Sequence, residues 1–325
     1  MMLHRLTLAV LSVLITIPAV APIPVAASET WPSKPLRIIV MAPPGGFPDS
    51  VARLLGNHIA DSIGESVLVE NRPGAGGNIA SAVVAKSPPD GHTLLISGIN
   101  QVSNRTLLPE PGFDYVEDLT PVTTAACTAV LMITRPDFPA NSLSEVVELA
   151  KTRDKPLSVA VTAIGTPAYL AGNMLGTVTD TDFLIVPYQG TAPSLIDVIS
   201  GEVDFALPSA TEVAGFVGSG KLKALAVTSS ERFSLLPDVE TIAEAGYPDM
   251  GLNSWVGFWT TGGTPPAVVE RLSEEIAKAL EHPDVIENMR GRVTEPCTMQ
   301  PAEMQAFLDS EYERWTPILK ELKGN

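Results

Sequence analysis

Hydrophobic positions along this chain repeat one theme twice. Leu36-Arg37-Ile38-Ile39-Val40 is a short, largely β-branched run that ends in a Pro/Gly turn over 43–46. Val51, Leu54, Leu55, Ile59 and Ile63 follow at the three-and-four spacing of one helix face. Val67-Leu68-Val69 predicts the next strand, then come a glycine-rich turn, a helix near 78–86 and the strand Thr93-Leu94-Leu95-Ile96. The theme restarts at Leu157-Ser158-Val159-Ala160-Val161. It continues as a helix at 167–176, a strand at 184–187, a helix at 192–200, a strand at 203–207, a helix near 209–218 and the strand Leu222 to Val227. Strands alternating with helices predict βαβ units and mainly parallel sheets flanked by helices. The expected fold class is therefore α/β, in two units.

Two extended stretches, 121–135 and 253–260, are long enough to cross between the units. After the second, only helices are expected. One is capped by Thr264 with Pro265 in its first turn. Another runs from about 301 to 320, with Met304, Phe307, Leu308, Tyr312, Trp315 and Leu319 on one face. If that tail returns to the first unit, the chain forms two lobes around a cleft. The first lobe is then 28–127 plus 256–325 and the second 128–255, with hinges near 125–130 and 252–258.

Length agrees with this division, since 325 residues is about two domains' worth. The N-terminus stands apart. Met1 to Arg5 is basic, Leu6 to Ala27 carries no charge, and Val25-Ala26-Ala27 offers small residues at a cleavage site. That layout marks 1–27 as a secretory signal peptide cleaved near Ala27. Pro18, Pro22 and Pro24 argue against a spanning anchor there. The formal charge of −16, one unit more negative once Arg5 is lost, excludes a nucleic-acid binder. Cys127 and Cys297 are too few for a disulfide scaffold. They are expected as free buried thiols, although an exported protein could oxidise them. His58, His92 and His282 form no ligand-spaced pair, so neither a metal nor another cofactor is expected.

Five stretches carry a resemblance: WPSKPLRIIVMAPPGG at 31–46, VENRPGAGGNIASAVVAKSPPDGHTLL at 69–95, VPYQGTAPSLIDVISGEVD at 186–204, GKLKALAVTSSERFSLLPDVETIAEAGYP at 220–248 and GTPPAVVERLSEEIAKAL at 263–280. In this order they resemble the exported solute receptors of the tripartite tricarboxylate transporter system, the Bug family. The resemblance implies a two-lobed periplasmic-binding-protein-like fold joined by two crossover strands. It also implies a periplasmic, monomeric receptor that closes around a small organic carboxylate and hands it to a two-component membrane permease. It implies no catalytic residue and no cofactor.

The residues themselves offer places for an anion. One strand runs into Pro44-Gly45-Gly46 and a helix starting near Pro48-Asp49; another runs into Gly165-Thr166 and a helix starting at Pro167. Glycine lets backbone approach a ligand, and proline in a first turn wastes no donor. The amides and positive dipole end of such helices suit a carboxylate. Ordinary βα turns use the same residues. Tyr188-Gln189-Gly190-Thr191 precedes a further helix, where Tyr188 could line the cleft and Thr191 either contacts ligand or caps the helix. Asp204 resembles a family position near the site, and equally suits a strand edge. The loop Ser97 to Gln101 lies at the carboxyl end of a strand, where α/β sheets bind ligands. The expected ligand-binding set is thus Pro44, Gly45, Gly46, Phe47, Asp49, Ser97, Gly165, Thr166, Pro167, Tyr169, Tyr188, Thr191 and Asp204.

The chain departs from the commoner family pattern. Ala42 replaces a phenylalanine, Phe47 and Pro48 stand where hydroxyls are usual, and Gly165-Thr166-Pro167-Ala168-Tyr169 replaces a serine run followed by histidine. Fewer hydroxyls and more aromatic wall point to a carboxylate with an apolar or aromatic body rather than a citrate-like one. Other chemistries fit poorly. The 74–79 turn lacks the last glycine or alanine of a dinucleotide loop, and GFVGSGK at 215–221 lacks the hydroxyl and helix of a phosphate loop. An exported hydrolase would want a G-x-S-x-G elbow, which is missing. A receptor that signals to a membrane sensor kinase keeps the binding and changes only the output.

Overall fold

The computed structural model describes residues 31–229 and 231–324; the expected signal peptide lies outside them. The first lobe begins β1 (Leu36–Val40), α1 (Phe47–Ile63), β2 (Val67–Asn71), α2 (Asn78–Ala85), β3 (Thr93–Gly98) and α3 (Asn100–Leu107). A long strand, β4 (Leu119–Ala129), leads to β5 (Leu131–Thr134), α4 (Leu143–Lys151), β6 (Leu157–Val161) and α5 (Pro167–Thr179). Next come β7 (Phe183–Pro187), α6 (Thr191–Ser200), β8 (Phe205–Ala206), α7 (Ala210–Gly218) and β9 (Lys223–Val227). The chain ends with β10 (Asn253–Thr261), α8 (Pro266–Glu281), α9 (Pro283–Gly291), β11 (Thr294–Pro296) and α10 (Pro301–Gly324).

These strands make two sheets, ordered β11-β4-β10-β3-β1-β2 and β7-β6-β8-β5-β9. The parallel pairing expected of βαβ units holds for β2-β1-β3 and for β7-β6-β8. The crossover strands add antiparallel ladders, β10 and β4 in the first sheet and β5 in the second. Central β1 is apolar on both faces because helices cover both, and Leu36, Ile38, Ile39 and Val40 are fully buried. The edge strands are less covered, with Leu68 of β2 and Leu184 of β7 exposed. The crossings are short. Val130 alone separates β4 in the first sheet from β5 in the second. On the return, Leu252 N donates to Thr228 O at 2.7 Å just before β10, all of which pairs in the first sheet.

Helices close the layers. The amphipathic α8 packs on α1, burying Leu272, Ile276 and Leu280. Between them Glu275, buried, takes Arg271 at 2.7 Å, Lys278 at 2.9 Å and the Ser62 hydroxyl. Burial raises this acid, but those donors outweigh it and hold it below the usual carboxylate range. The tail helix α10 returns to the first lobe. It packs on α3, buries Met304 and Trp315, and places Tyr312 under the Arg105 guanidinium, 4.0 Å from the ring centroid.

Several expectations need correction. Helix α4 is capped by Ser142, which accepts from Glu145 N at 3.2 Å; this signal stood in the sequence and went unread. Thr264 does not cap α8, because its hydroxyl donates to Thr261 O at 2.7 Å. Nor are there only helices after β10. Strand β11 pairs with β4, setting Glu295 opposite Cys127, and Cys297 N donates to Ala125 O at 3.2 Å. That pairing brings the cysteines, 170 residues apart, to a Cα separation of 5.8 Å, and they form a disulfide instead of free thiols. Bridges of this kind typically contribute about 2–4 kcal/mol. His58 and His282 are not isolated, since their rings lie 4.3 Å apart between α1 and the α8–α9 junction.

Candidate functional site

Helix starts at the carboxyl ends of the parallel strands face one another between the sheets. At the start of α1, Gly45 has a φ of +83°, a conformation that side chains disfavour, and Gly46 is the cap in extended geometry. Asp49, 3% exposed, turns back into this loop. It accepts Gly45 N at 2.9 Å, Arg53 Nε at 3.0 Å and Asn71 Nδ2 at 2.8 Å, while Asn71 Nδ2 also reaches Ala42 O. Burial pushes the Asp49 carboxyl up; the Arg53, Gly45 and Asn71 bonds outweigh it, so the group sits below its usual range. Asp49 therefore positions the loop from behind. Pro44 and Gly45 are exposed, whereas Phe47 is buried where α1 begins.

At the start of α5, the Thr166 hydroxyl accepts Tyr169 N at 3.2 Å and shares a 2.8 Å hydrogen bond with Thr162. Pro167 occupies the first turn, and Tyr169 is half-buried against the core. The preceding Gly165 crosses to the first lobe. Its carbonyl accepts the Ser103 hydroxyl at 2.8 Å, and a Cβ there would lie 2.1 Å from Asn104 Oδ1. With φ at +81°, only glycine fits. Ile164 O lies against Gly76 in the same contact.

The floor of this contact is a buried polar layer. Residues 97–101, expected as a loop, run from the end of β3 into α3, whose Asn100, Gln101, Ser103 and Asn104 are all buried. Asn100 Nδ2 and Asn104 Nδ2 both donate to Gly76 O at 2.9 Å. Ser97 lies beneath, accepting Gln101 Nε2 at 3.0 Å and donating to Met41 Sδ.

Across from the α1 loop lies the start of α6. Gly190, not Thr191, is its cap residue, and Thr191 Oγ1 donates to Glu212 Oε1 at 2.9 Å. Glu212 belongs to the first turn of α7 and also accepts Ser209 N at 3.2 Å. Across the cleft its Oε1 lies against Gly46, the cap residue of α1 in the opposite lobe. Burial pushes the Glu212 carboxyl above its ordinary value despite these bonds. Glu212 was missed as a site residue, although Ser209-x-x-Glu212 reads as a capping box.

Two expected site residues make their side-chain bonds within the second lobe. Tyr188 donates its hydroxyl to Asp197 Oδ2 at 2.6 Å within the second lobe; burial, then Asp197, pushes it to about 12. Asp204 precedes β8 and accepts Ser158 N and Oγ at 2.8 and 2.9 Å. Parallel β6 and β8 therefore place it at their amino ends, away from the helix starts. Among the described residues no cluster of His, Cys, Asp and Glu is arranged to hold a metal ion.

Two sheets joined by two crossings, with helix starts opposed across a cleft, define a two-lobed solute-binding protein. The chain belongs to the tripartite tricarboxylate transporter family receptors, whose family model matches residues 51–323. It is 33% identical to Protein BugT of Bordetella pertussis over 316 residues, covering 97% of this chain and 96% of that one. A Rhodopseudomonas palustris protein solved with adipate superposes with a TM-score of 0.84 at 31% identity, covering 89% of this chain and 97% of its own. MatC from the same organism, solved with bound malate, gives 0.81 at 29% identity, covering 89% and 100%. The family is one of receptors.

Proposed function

We propose that this protein captures a small organic carboxylate between its lobes in the periplasm and delivers it, as a monomer, to a two-component membrane permease. The observation that carries the reading is the opposition of helix starts across the cleft. The α1 loop faces the start of α6, and the α5 loop faces α3. Such starts present amides and positive dipole ends to an anion. Of the expected set, Pro44, Gly45, Gly46 and Phe47 in the first lobe and Gly165, Thr166, Pro167, Tyr169 and Thr191 in the second form this rim. Asp49 and Ser97 support it. Lobe motion turns on Val130 and on the Thr228–Leu252 contact, close to the hinges read from sequence.

The relatives solved with adipate and malate support a carboxylate as ligand. The N-terminal 27 residues support export with cleavage near Ala27, and family membership supports the permease as recipient. Phe47 and Tyr169 support an apolar or aromatic body on the ligand. A thermal-shift panel of organic acids tests this: aliphatic or aromatic acids are expected to raise the melting temperature more than citrate. Stabilisation by citrate alone refutes the apolar-body reading, and no response to any acid refutes carboxylate capture.

A further inference from the structure

The cleft already holds a carboxylate of the protein's own. Glu212 takes donors from two helix starts of its own lobe, Thr191 Oγ1 at α6 and Ser209 N at α7. Across the cleft stands the α1 start of the opposite lobe. A Cβ built on the cap residue Gly46 would be 3.9 Å from Oε1, ordinary contact, so the side chain lies directly against the α1 start. Among the described residues Glu212 makes no ion pair with a lysine or arginine. Its charge is balanced by N–H and O–H dipoles alone, as that of a bound carboxylate would be.

This arrangement changes what a ligand can bring. A second carboxylate at the α1 start would stand beside Glu212 and meet a like charge in a poorly solvated space. Like charges there disfavour one another strongly. The α5 side differs, because among the described residues no protein carboxylate bonds Gly165, Thr166 or Tyr169; their partners are hydroxyls, backbone groups and the Asn173 amide. One anionic position is thus filled from within, and one is left to the ligand.

We infer that Glu212 determines specificity by standing in for one ligand carboxylate, so that this receptor selects acids with a single carboxylate over diacids of equal length. The inference rests on the proposed carboxylate capture and narrows its substrate class. It sets this chain apart from relatives solved with adipate and malate, both diacids.

The test is titration calorimetry on the full chain with matched pairs, hexanoate against adipate and butyrate against succinate. Wild type is expected to bind the monoacid of a pair at least about tenfold more tightly, a difference of about 1.4 kcal/mol. Glu212→Gln keeps an acceptor for its donors without the charge, and is expected to erase or reverse that ratio. Glu212→Asp keeps the charge and is expected to retain the preference, so a ratio that follows charge separates electrostatics from packing. If Glu212→Gln fails to fold, the wild-type and Glu212→Asp ratios still decide. Diacids bound as tightly as monoacids by wild type, or a ratio unmoved in Glu212→Gln, overturn the inference and leave carboxylate capture standing. No heat with any acid from folded wild type overturns both.

Discussion

The two proline-started helices at the cleft begin alike and are held differently. Both follow a parallel strand, a positive-φ glycine and an extended cap residue. The α1 start is braced by charge, with Asp49 gripping Gly45 N–H, Arg53 and Asn71, and with Glu212 standing against its cap residue Gly46. The α5 start is braced by neutral groups, the Thr162 and Thr166 hydroxyls within its lobe and Ser103 across the cleft. Similar sequence signals thus produce a stiff loop on one side. On the other they produce a loop whose fit depends on the opposite lobe being in place.

The largest expected effect exploits that dependence. Gly165→Ala imposes a left-handed conformation on a side chain, at roughly 1–2 kcal/mol, and drives a methyl into Asn104 in the closed form only. Affinity for the best-binding acid of the panel is expected to fall about 100-fold, about 2.7 kcal/mol, while folding stability falls by no more than the backbone strain. Calorimetry beside a melt checks both; an equal loss in each would show that the contact belongs to folding rather than closure. Asp49→Asn should behave in the opposite way. It weakens the charged bracing of the α1 loop without touching the interlobe contact, and hydrogen bonds to charged groups are worth about 1.5–3 kcal/mol. Urea unfolding is expected to show a loss in that range, with affinity less affected than in Gly165→Ala. A smaller change follows for Ser103→Ala, which removes one neutral interlobe bond. About 0.5–1.5 kcal/mol of affinity, at most about tenfold, is expected to go.

What was readable in the sequence divides along the same line. The strands and both glycine-proline helix starts are local patterns, and they fold as the residue spacing predicts. Ser97 to Gln101 was read as a loop, because Asn100 and Gln101 give no apolar start to the helix α3 that they open. Its burial is paid by partners distant in sequence, Gly76 O and Gly165 O. The disulfide was unreadable for the same reason, since β11 must first pair with β4. Asp204 was placed by family position, and its bonds to Ser158 hold it at the amino ends of β6 and β8, while Tyr188 beside the α6 start gives its hydroxyl to Asp197. Glu212 looked like a cap and is one; only the approach of α1 from the other lobe gives it a second role.

The subtlest way to sharpen the comparison is pH. Asp49 titrates below its ordinary value in the fold, so its contribution is complete above the unfolded value and is lost as pH falls through the folded one. Glu212 titrates above its ordinary 4.5, so folding shifts its balance toward the protonated form relative to the unfolded chain. The stability linked to it is complete below 4.5 and declines as pH rises through the folded value. The two acids therefore act with opposite sign at opposite ends of the acid range. Chemical denaturation across that range is expected to show Asp49→Asn reducing the loss at the acidic end. Glu212→Gln is expected to flatten the decline above 4.5. If instead Glu212→Gln leaves that region unchanged, Glu212 is not held in a desolvated contact, and the α1 start is no more engaged than that of α5.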